Sequence, residues 1–543
     1  MMRPSQHSLW LSGLADELPI GAGALLVALP AFIYTLFRSI YTHRTRILPA
    51  CVDIDVVKTA ARQPLPPSTL PVLGNLVDIA RQGERLHDWF AELSRHFLGQ
   101  AFRLCIPGKP DLVVLSSPAD FQIVQQTQAD HFIKGANFHD LLADLLGDSL
   151  FIVNGEQWKR QRRILARLFS SRALRCHMTP IIQAHTRSLL LQAAAHAAET
   201  GEELDVSALT HRFTLATFTE IGFGIDMASL AEGEASRSFE QAFDEAVHLA
   251  TDRFRQPVSV WKALRWLNIG TERRLRDAIA VVNTTATDLI TQSMARRRAM
   301  VVEDSTSATA SDITSLLLAD DSEEGLDAAI IRSLVVTALV AGRDTTADTL
   351  NWFLLALSGQ PWVQTKLRDE LLAAIPDLAT SPTYVPSMDE IQHLPYLEAS
   401  IREVLRLYPA GPFTVKQCVQ DTVLSDGSLI PSGADVGFAV YAMGRLESVW
   451  GRDACEFKPE RFLDETTGEL KPMSNFQFSA FSAGERQCVG RRLAMLELKL
   501  ALAALVARFR FSGSSPRTVQ EQTYVPGVSL PMKTSLLMRV HRL

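Results

Sequence analysis

The feature that most constrains this chain is a ten-residue segment near its C-terminus, Phe481-Ser-Ala-Gly484-Glu-Arg486-Gln-Cys488-Val-Gly490. Its spacing suits a thiolate held in a flat loop beneath a haem iron. Cysteine supplies a soft, anionic ligand that pushes electron density into the iron. Gly484 and Gly490 are expected to give the backbone freedom and close approach that such a loop needs. Arg486 is placed to pair with a haem propionate, and Phe481 to shield the sulfur from water. The next run, Arg491 to Leu500, has helical character, so its first N–H groups and positive dipole end are expected to face Cys488. A structural cysteine beside a glycine turn is the plain alternative. It leaves the joint placement of Phe, Gly, Arg and Gly around Cys488 without a reason.

The pattern resembles the haem-binding signature of the cytochrome P450 superfamily, and further motifs follow in that family's order. Ala341-Gly342-Arg-Asp344-Thr345-Thr346 lies between the apolar runs 334–340 and 350–357, and the whole reads as one long helix with a polar interruption. The resemblance implies that Ala341 and Gly342 leave room for dioxygen and that Thr345 with Asp344 relays protons toward it. Taken alone, the same segment reads as a helix kink or a cap. Glu403 and Arg406 share a helical face at i, i+3, and Pro459-Glu460-Arg461-Phe462 offers a second arginine. In the family such residues form a structural clasp, a role carried to Glu403, Arg406 and Arg461. Trp158 and Arg162, at i and i+4, offer an indole N–H and a guanidinium to propionate oxygens. Lys159, Arg160 and Arg163 are expected to form a basic patch on the cysteine side, suited to an acidic reductase surface.

The implied fold is mainly α with small β-sheets, the haem lying between the long central helix and the Cys488 loop. The implied cofactor is haem b with a cysteine axial ligand, and O2 is a co-substrate. The implied activity is monooxygenation of a C–H bond. No dinucleotide fingerprint and no flavin motif is found, so electrons are expected from an NADPH-dependent cytochrome reductase, with cytochrome b5 as a second candidate donor. A reductase-independent isomerase or dehydratase, or a silent haem sensor, is expected to have lost the Asp344–Thr345 pair that this chain keeps. With 543 residues and 47% hydrophobic content, the chain can bury one large core. A net charge of −6 gives no footprint for nucleic acid. Six cysteines without paired spacing fit a reducing compartment.

The segment 18–37 carries no charge, and as a helix it would span roughly 30 Å, the thickness of a bilayer's hydrocarbon core. It is read as a membrane anchor, with a cleaved signal peptide as the competitor. Asp16 and Glu17 precede it and Arg38, Arg44 and Arg46 follow it. The positive-inside rule then places residues 1–17 in the lumen of the endoplasmic reticulum and the bulk of the chain on the cytosolic face. Residues 38–71 read as a basic and Pro-rich linker, and 72–543 as the haem-thiolate domain. Strands are expected near Phe102–Cys105, Leu112–Leu115 and within Lys416–Val436, with loops at Glu303–Asp312 and Ala379–Pro386.

Three longer stretches, 145–163, 213–226 and 441–451, resemble the fatty-acid ω-hydroxylase branch of plants and fungi. The resemblance implies a long-chain fatty acid oxidised at or near its end; an alkane, a terpenoid or another secondary metabolite is the alternative. By position in that fold, the pocket candidates are Phe132, Phe138, Leu142, Val336, Thr337, Phe413, Val415, Val528 and Leu530. Lys134 is read as a surface lysine, with a substrate carboxylate as its alternative partner. Glu485 and Gln487 stand where the family's loop often has proline and a bulky apolar residue, which loosens the subfamily reading and not the haem reading.

Overall fold

A computed structural model describes residues 61–225, 234–303, 327–514 and 522–543. The anchor expected at 18–37, the linker up to residue 60 and the polar connection from residue 304 lie outside these. Among the described residues, no helix is long and apolar enough to cross a membrane.

Helices dominate: α1 Leu86–His96, α2 Ala136–Leu146, α3 Gly155–Leu168, α4 Val206–Phe223, α5 Glu234–Asp252, α6 Gly270–Glu303, α7 Ala328–Ser358, α8 Pro395–Leu407 and α9 Arg491–Val506 position the site, among shorter ones. The long helix expected from the two apolar runs is α7, 31 residues without a break. Asp327 caps its start by accepting a hydrogen bond from the Ala329 N–H. The helix is apolar through most of its first and last thirds and buries polar side chains such as Arg343 and Asp348 near its middle, so it is stable only when surrounded. It packs against α2, α4, α6, α8 and α9. Two polar ties fix its rotation. The Thr210 hydroxyl of α4 donates to Asn351 Oδ1 at 2.8 Å, and Trp352 Nε1 donates to the Leu530 carbonyl at 2.8 Å. The Trp352 ring also stacks on Tyr408, with centroids 4.3 Å apart.

The strands β1 Phe102–Leu104, β2 Leu112–Leu115, β3 Phe132–Ile133, β4 Leu204–Asp205, β5 Thr414–Cys418, β6 Thr422–Val423, β7 Leu429–Ile430, β8 Asp435–Phe438, β9 Phe509–Gly513 and β10 Leu537–Arg542 form three small sheets. The largest runs β1-β2-β8-β5-β3, with Val113 opposite Val436 in the parallel β2–β8 pair. The expected strands at 102–105 and 112–115 are β1 and β2, and the region 416–436 divides into β5 to β8. The expected loop at 379–386 begins inside a short helical turn, Asp377–Thr380.

Candidate functional site

The Cys488 loop is shaped by local hydrogen bonds before any cofactor is considered. The Cys488 N–H donates to the Phe481 carbonyl at 2.8 Å, and the Ala483 N–H donates to Gln125 Oε1 at 2.9 Å. Gly484 turns the chain at φ +64°, and a Cβ there would fall 2.0 Å from the Gln125 carbonyl oxygen. Gly490 differs from expectation: its φ is −86°, open to any residue. It sits immediately before α9, and a Cβ built on it would touch only Cys488 Sγ and Phe169, each at 4.0 Å. Burial pushes the Cys488 thiol up, while the N–H groups of Gly490 and Arg491 and the charge of Arg162 pull it down. The helix start therefore acts on the sulfur as the sequence implied.

Facing this loop across a cavity of about 730 Å³ is the middle of α7. Cys488, Phe481, Gly490, Ala341, Gly342, Asp344, Thr345, Trp158, Arg162 and Arg486 all border that one space, although they come from segments far apart in the chain. Gly342 has a packing reason the sequence reading missed. A Cβ there would fall 2.2 Å from the Phe218 ring of α4, so glycine lets the two helices meet. The Thr345 hydroxyl donates to the Ala341 carbonyl at 2.6 Å. Burial raises the Asp344 carboxyl, and Arg343 and His211 oppose the rise.

Four buried or half-buried cations gather beside the loop. Arg486 donates to the Val153 carbonyl and to Asn154 Oδ1 at 2.9 and 3.0 Å, with its guanidinium over the Trp158 ring. Arg162 donates to the Gln487 carbonyl at 2.8 Å. Lys416 reaches the Val124 carbonyl at 3.3 Å, and Lys134 reaches the Val415 carbonyl at 3.2 Å. Lys134 is thus buried on the cavity wall, not a surface residue. Burial, with neighbouring positive charge, pushes Lys134 down to about 7, Lys416 to about 8 and Arg486 to about 10. Their hydrogen bonds go to carbonyls, an amide and the Thr414 hydroxyl and none to a carboxylate, so the cluster calls for an anion from outside the chain. Lys416 lies in β5 and Lys134 just past the end of β3, with no motif around either. A lysine on the inward face of a short strand was the one available signal.

Behind the loop, Glu403, Arg406 and Arg461 do meet. Arg406 Nε and Nη2 donate to the two Glu403 oxygens at 2.6 and 2.8 Å, and Arg461 Nε donates at 3.3 Å. The Lys458 N–H adds a bond at 2.9 Å. The other Arg406 donors reach the carbonyls of Gly444, Ala454 and Glu456. Of the pocket candidates, Phe138, Leu142, Thr337, Phe413, Val415 and Val528 border the cavity. Phe132 packs under the large sheet, and Val336 and Leu530 lie in the main core. Val336 precedes Thr337 on α7, and a step of one residue on a helix turns the side chain away by about 100°.

The model of the family described as "Cytochrome P450" matches residues 64–538. The chain belongs to the cytochrome P450 family. Among curated proteins it is similar to Cytochrome P450 CYP94D109 of Paris polyphylla, 32% identical over 79% of this chain and 85% of that one. It is also similar to Cytochrome P450 704C1 of Pinus taeda, 32% identical over 83% of this chain and 89% of that one. Its fold matches the crystal structure of the cytochrome P450DA heme domain, with a TM-score of 0.73 and 24% identity over 89% of this chain and 98% of that one. As a cytochrome P450 the chain is a haem-thiolate monooxygenase that uses O2 and receives electrons from a redox partner. The residues present fit the haem: a cysteine in a helix-capped loop offers the thiolate, and the uncompensated cations offer partners for two propionates.

Proposed function

We propose that this cytochrome P450 hydroxylates a long-chain fatty acid at or near its terminal carbon. The observation that carries the reading is the cavity itself, about 730 Å³, mainly apolar and bordered at once by Cys488 and by Thr345. The resemblance of three scaffold stretches to fatty-acid ω-hydroxylases, and the similarity to plant relatives across most of the chain, support the same substrate class.

In this reading Cys488 would ligate the haem iron through its thiolate, and Trp158, Arg162, Arg486, Lys134 and Lys416 would hold the propionates. When bound, the haem activates O2 so that one oxygen atom enters a C–H bond and the other leaves as water. Phe481 would screen the sulfur, and Ala341 would leave space for O2 in the cavity. Thr345, whose hydroxyl rests on the Ala341 carbonyl, passes protons into the cavity from Asp344. Phe138, Leu142, Thr337, Phe413, Val415 and Val528 line the path of the acyl chain. Glu403, Arg406 and Arg461 hold the loop's scaffold and take no part in the chemistry.

NADPH enters indirectly, through a membrane-bound reductase that docks near Lys159, Arg160 and Arg163 and with cytochrome b5 as an auxiliary donor. The uncharged segment 18–37 anchors the chain in the endoplasmic reticulum with the catalytic domain in the cytosol. A titration of the purified oxidised protein with palmitic or oleic acid tests the substrate. A saturable blue shift of the Soret band, followed by a terminally hydroxylated product with NADPH and reductase, is the expected result. A normal haem spectrum that fatty acids leave unmoved, while an alkane or terpenoid shifts it, would transfer the reading to that class.

A further inference from the structure

Next to the large cavity, with Asp344, Thr251 and Ser529 among the residues common to both, lies a second cavity of about 470 Å³, bordered also by His211, Asp244, Arg343 and Asp348. Asp344 borders both cavities. Thr345 and Thr349 border the larger one and not the smaller, whereas Asp348 borders the smaller one and not the larger. Asp348 stands one helical turn after Asp344 on the same stripe of α7, where Cβ atoms lie about 6 Å apart. It is 1% exposed, and neither of its carboxyl oxygens has a partner at full hydrogen-bond geometry, the Ser529 side chain giving only partial relief. A buried carboxyl left this way costs free energy, so its retention calls for a reason. His211 Nδ1 donates to the Ser207 carbonyl at 2.8 Å, which leaves Nε2 directed at Asp348 Oδ1 from 3.8 Å. Arg343 holds Asp344 at 3.1 Å and also bonds the largely exposed Asp244.

We propose that Asp348 is the proton reservoir behind the Asp344–Thr345 pair, refilled from the smaller cavity through His211. The proposal rests on the reading of that pair as the proton path. Monooxygenation consumes two protons with two electrons and one O2 for each hydroxylated product and water. When the Asp344 carboxyl has given up its proton, the O–H bond of Asp348 breaks and one forms on Asp344. The negative charge thereby moves to Asp348. When a hydronium ion in the smaller cavity gives a proton to His211, the Nε2–H bond of His211 breaks and an O–H bond forms on Asp348, so the protons consumed come in the end from the solvent. Burial, with the charge of Asp344, raises the Asp348 carboxyl well above its ordinary range, so it carries a proton to give.

The test uses the full-length, haem-loaded protein with its reductase. Asp348→Asn keeps the shape and removes the transferable proton. Product formed per NADPH is expected to fall at least about threefold, with the difference appearing as peroxide, and the solvent deuterium isotope effect on product formation to rise. Asp348→Glu is expected to restore coupling. In the haem-free protein at neutral pH, the infrared band of one protonated carboxyl is expected to vanish in Asp348→Asn, a readout independent of turnover. His211→Gln, which leaves the carboxyl in place, is expected to show the same uncoupling, and it decides the matter if Asp348→Asn does not take up haem. Unchanged coupling in a haem-loaded Asp348→Asn, or no lost infrared band, overturns the proposal. Asp344→Asn separates the two readings. If it too couples normally the Asp344–Thr345 path fails, and if it alone uncouples only the Asp348 reservoir fails.

Discussion

Glu403 and Asp348 are carboxylates buried to the same depth, 0% and 1% exposed, yet their surroundings have opposite character. Glu403 accepts four hydrogen bonds, two from Arg406 and one each from Arg461 and the Lys458 N–H. Asp348 has no partner of comparable geometry, only a weaker approach from the Ser529 side chain, and Asp344, one turn away, adds to its burden of negative charge. The first arrangement offsets the desolvation of a charge with directional bonds and so fixes the scaffold behind the Cys488 loop. The second leaves a polar group poorly satisfied one helical turn from Asp344, which does border the cavity of Cys488 and Thr345. Unsatisfied buried groups gather where a side chain must change state during function.

If the cavity between these regions is the reaction site, Cys488→Ala produces the largest effect. Turnover should be abolished and the carbon monoxide difference spectrum should lose its thiolate form, while the Glu403 network still folds the chain. A Cys488→Ala protein with wild-type turnover would remove the site from this cavity altogether. Next comes the satisfied side of the comparison. Glu403→Ala strands the Arg406 guanidinium, 3% exposed, without its counter-charge. Removing one partner of such a pair costs about 3–5 kcal/mol. A lowered Tm together with poor haem retention is the outcome to look for in thermal unfolding; a Tm within a degree of wild type would show the network to be ornamental.

On the catalytic side, Thr345→Ala should change coupling and not stability. About a tenfold loss of product per NADPH, released as peroxide at a nearly normal rate of NADPH use, is the scale of a lost proton transfer. Equal coupling in the variant would refute the relay. Asp348→Ala gives the contrast its sign, because deleting an unsatisfied carboxyl removes a cost of about 1 kcal/mol or more. It should raise Tm even as Glu403→Ala lowers it. A fall of similar size in both variants would mean that the two carboxylates do the same structural work after all.

The parts legible in the sequence are those in which neighbours in the chain are neighbours in space. The Cys488 loop, the Ala341–Thr346 segment, and the Glu403–Arg406 and Trp158–Arg162 pairs each lie within one turn or one helix, so spacing alone sets their geometry. The cluster of cations was half visible, because Lys134, just past β3, comes beside Lys416 of β5 only through the pairing of those two strands. Gly342 was read as room for a ligand, yet Phe218, 124 positions earlier, supplies its reason. Asp348 carried a signal that went unused, a charge four residues past Asp344 in a helix otherwise apolar on that stripe. Nothing local showed that His211 would stand against it.

The smallest effect is expected where the clasp reaches solvent. Asp453 accepts from Lys458 Nζ and Arg461 Nη1, each at 2.9 Å. These hydrogen bonds hold its carboxyl down at about 2. A carboxyl whose folded pKa lies below its unfolded value contributes stability above the unfolded pKa of about 3.9, and that contribution is lost as pH falls through about 2. Its side chain is 29% exposed, so water and salt screen the pair and the contribution at pH 7 should stay under about 1 kcal/mol. Denaturant midpoints of wild type and Asp453→Asn should therefore differ slightly at pH 7 and converge as the pH approaches 2. High salt should shrink the difference at pH 7 while leaving the cost of Glu403→Ala almost intact. If salt weakened both equally, Glu403 would have to be reached by solvent, and the contrast between a satisfied interior and a functional wall would lose its first half.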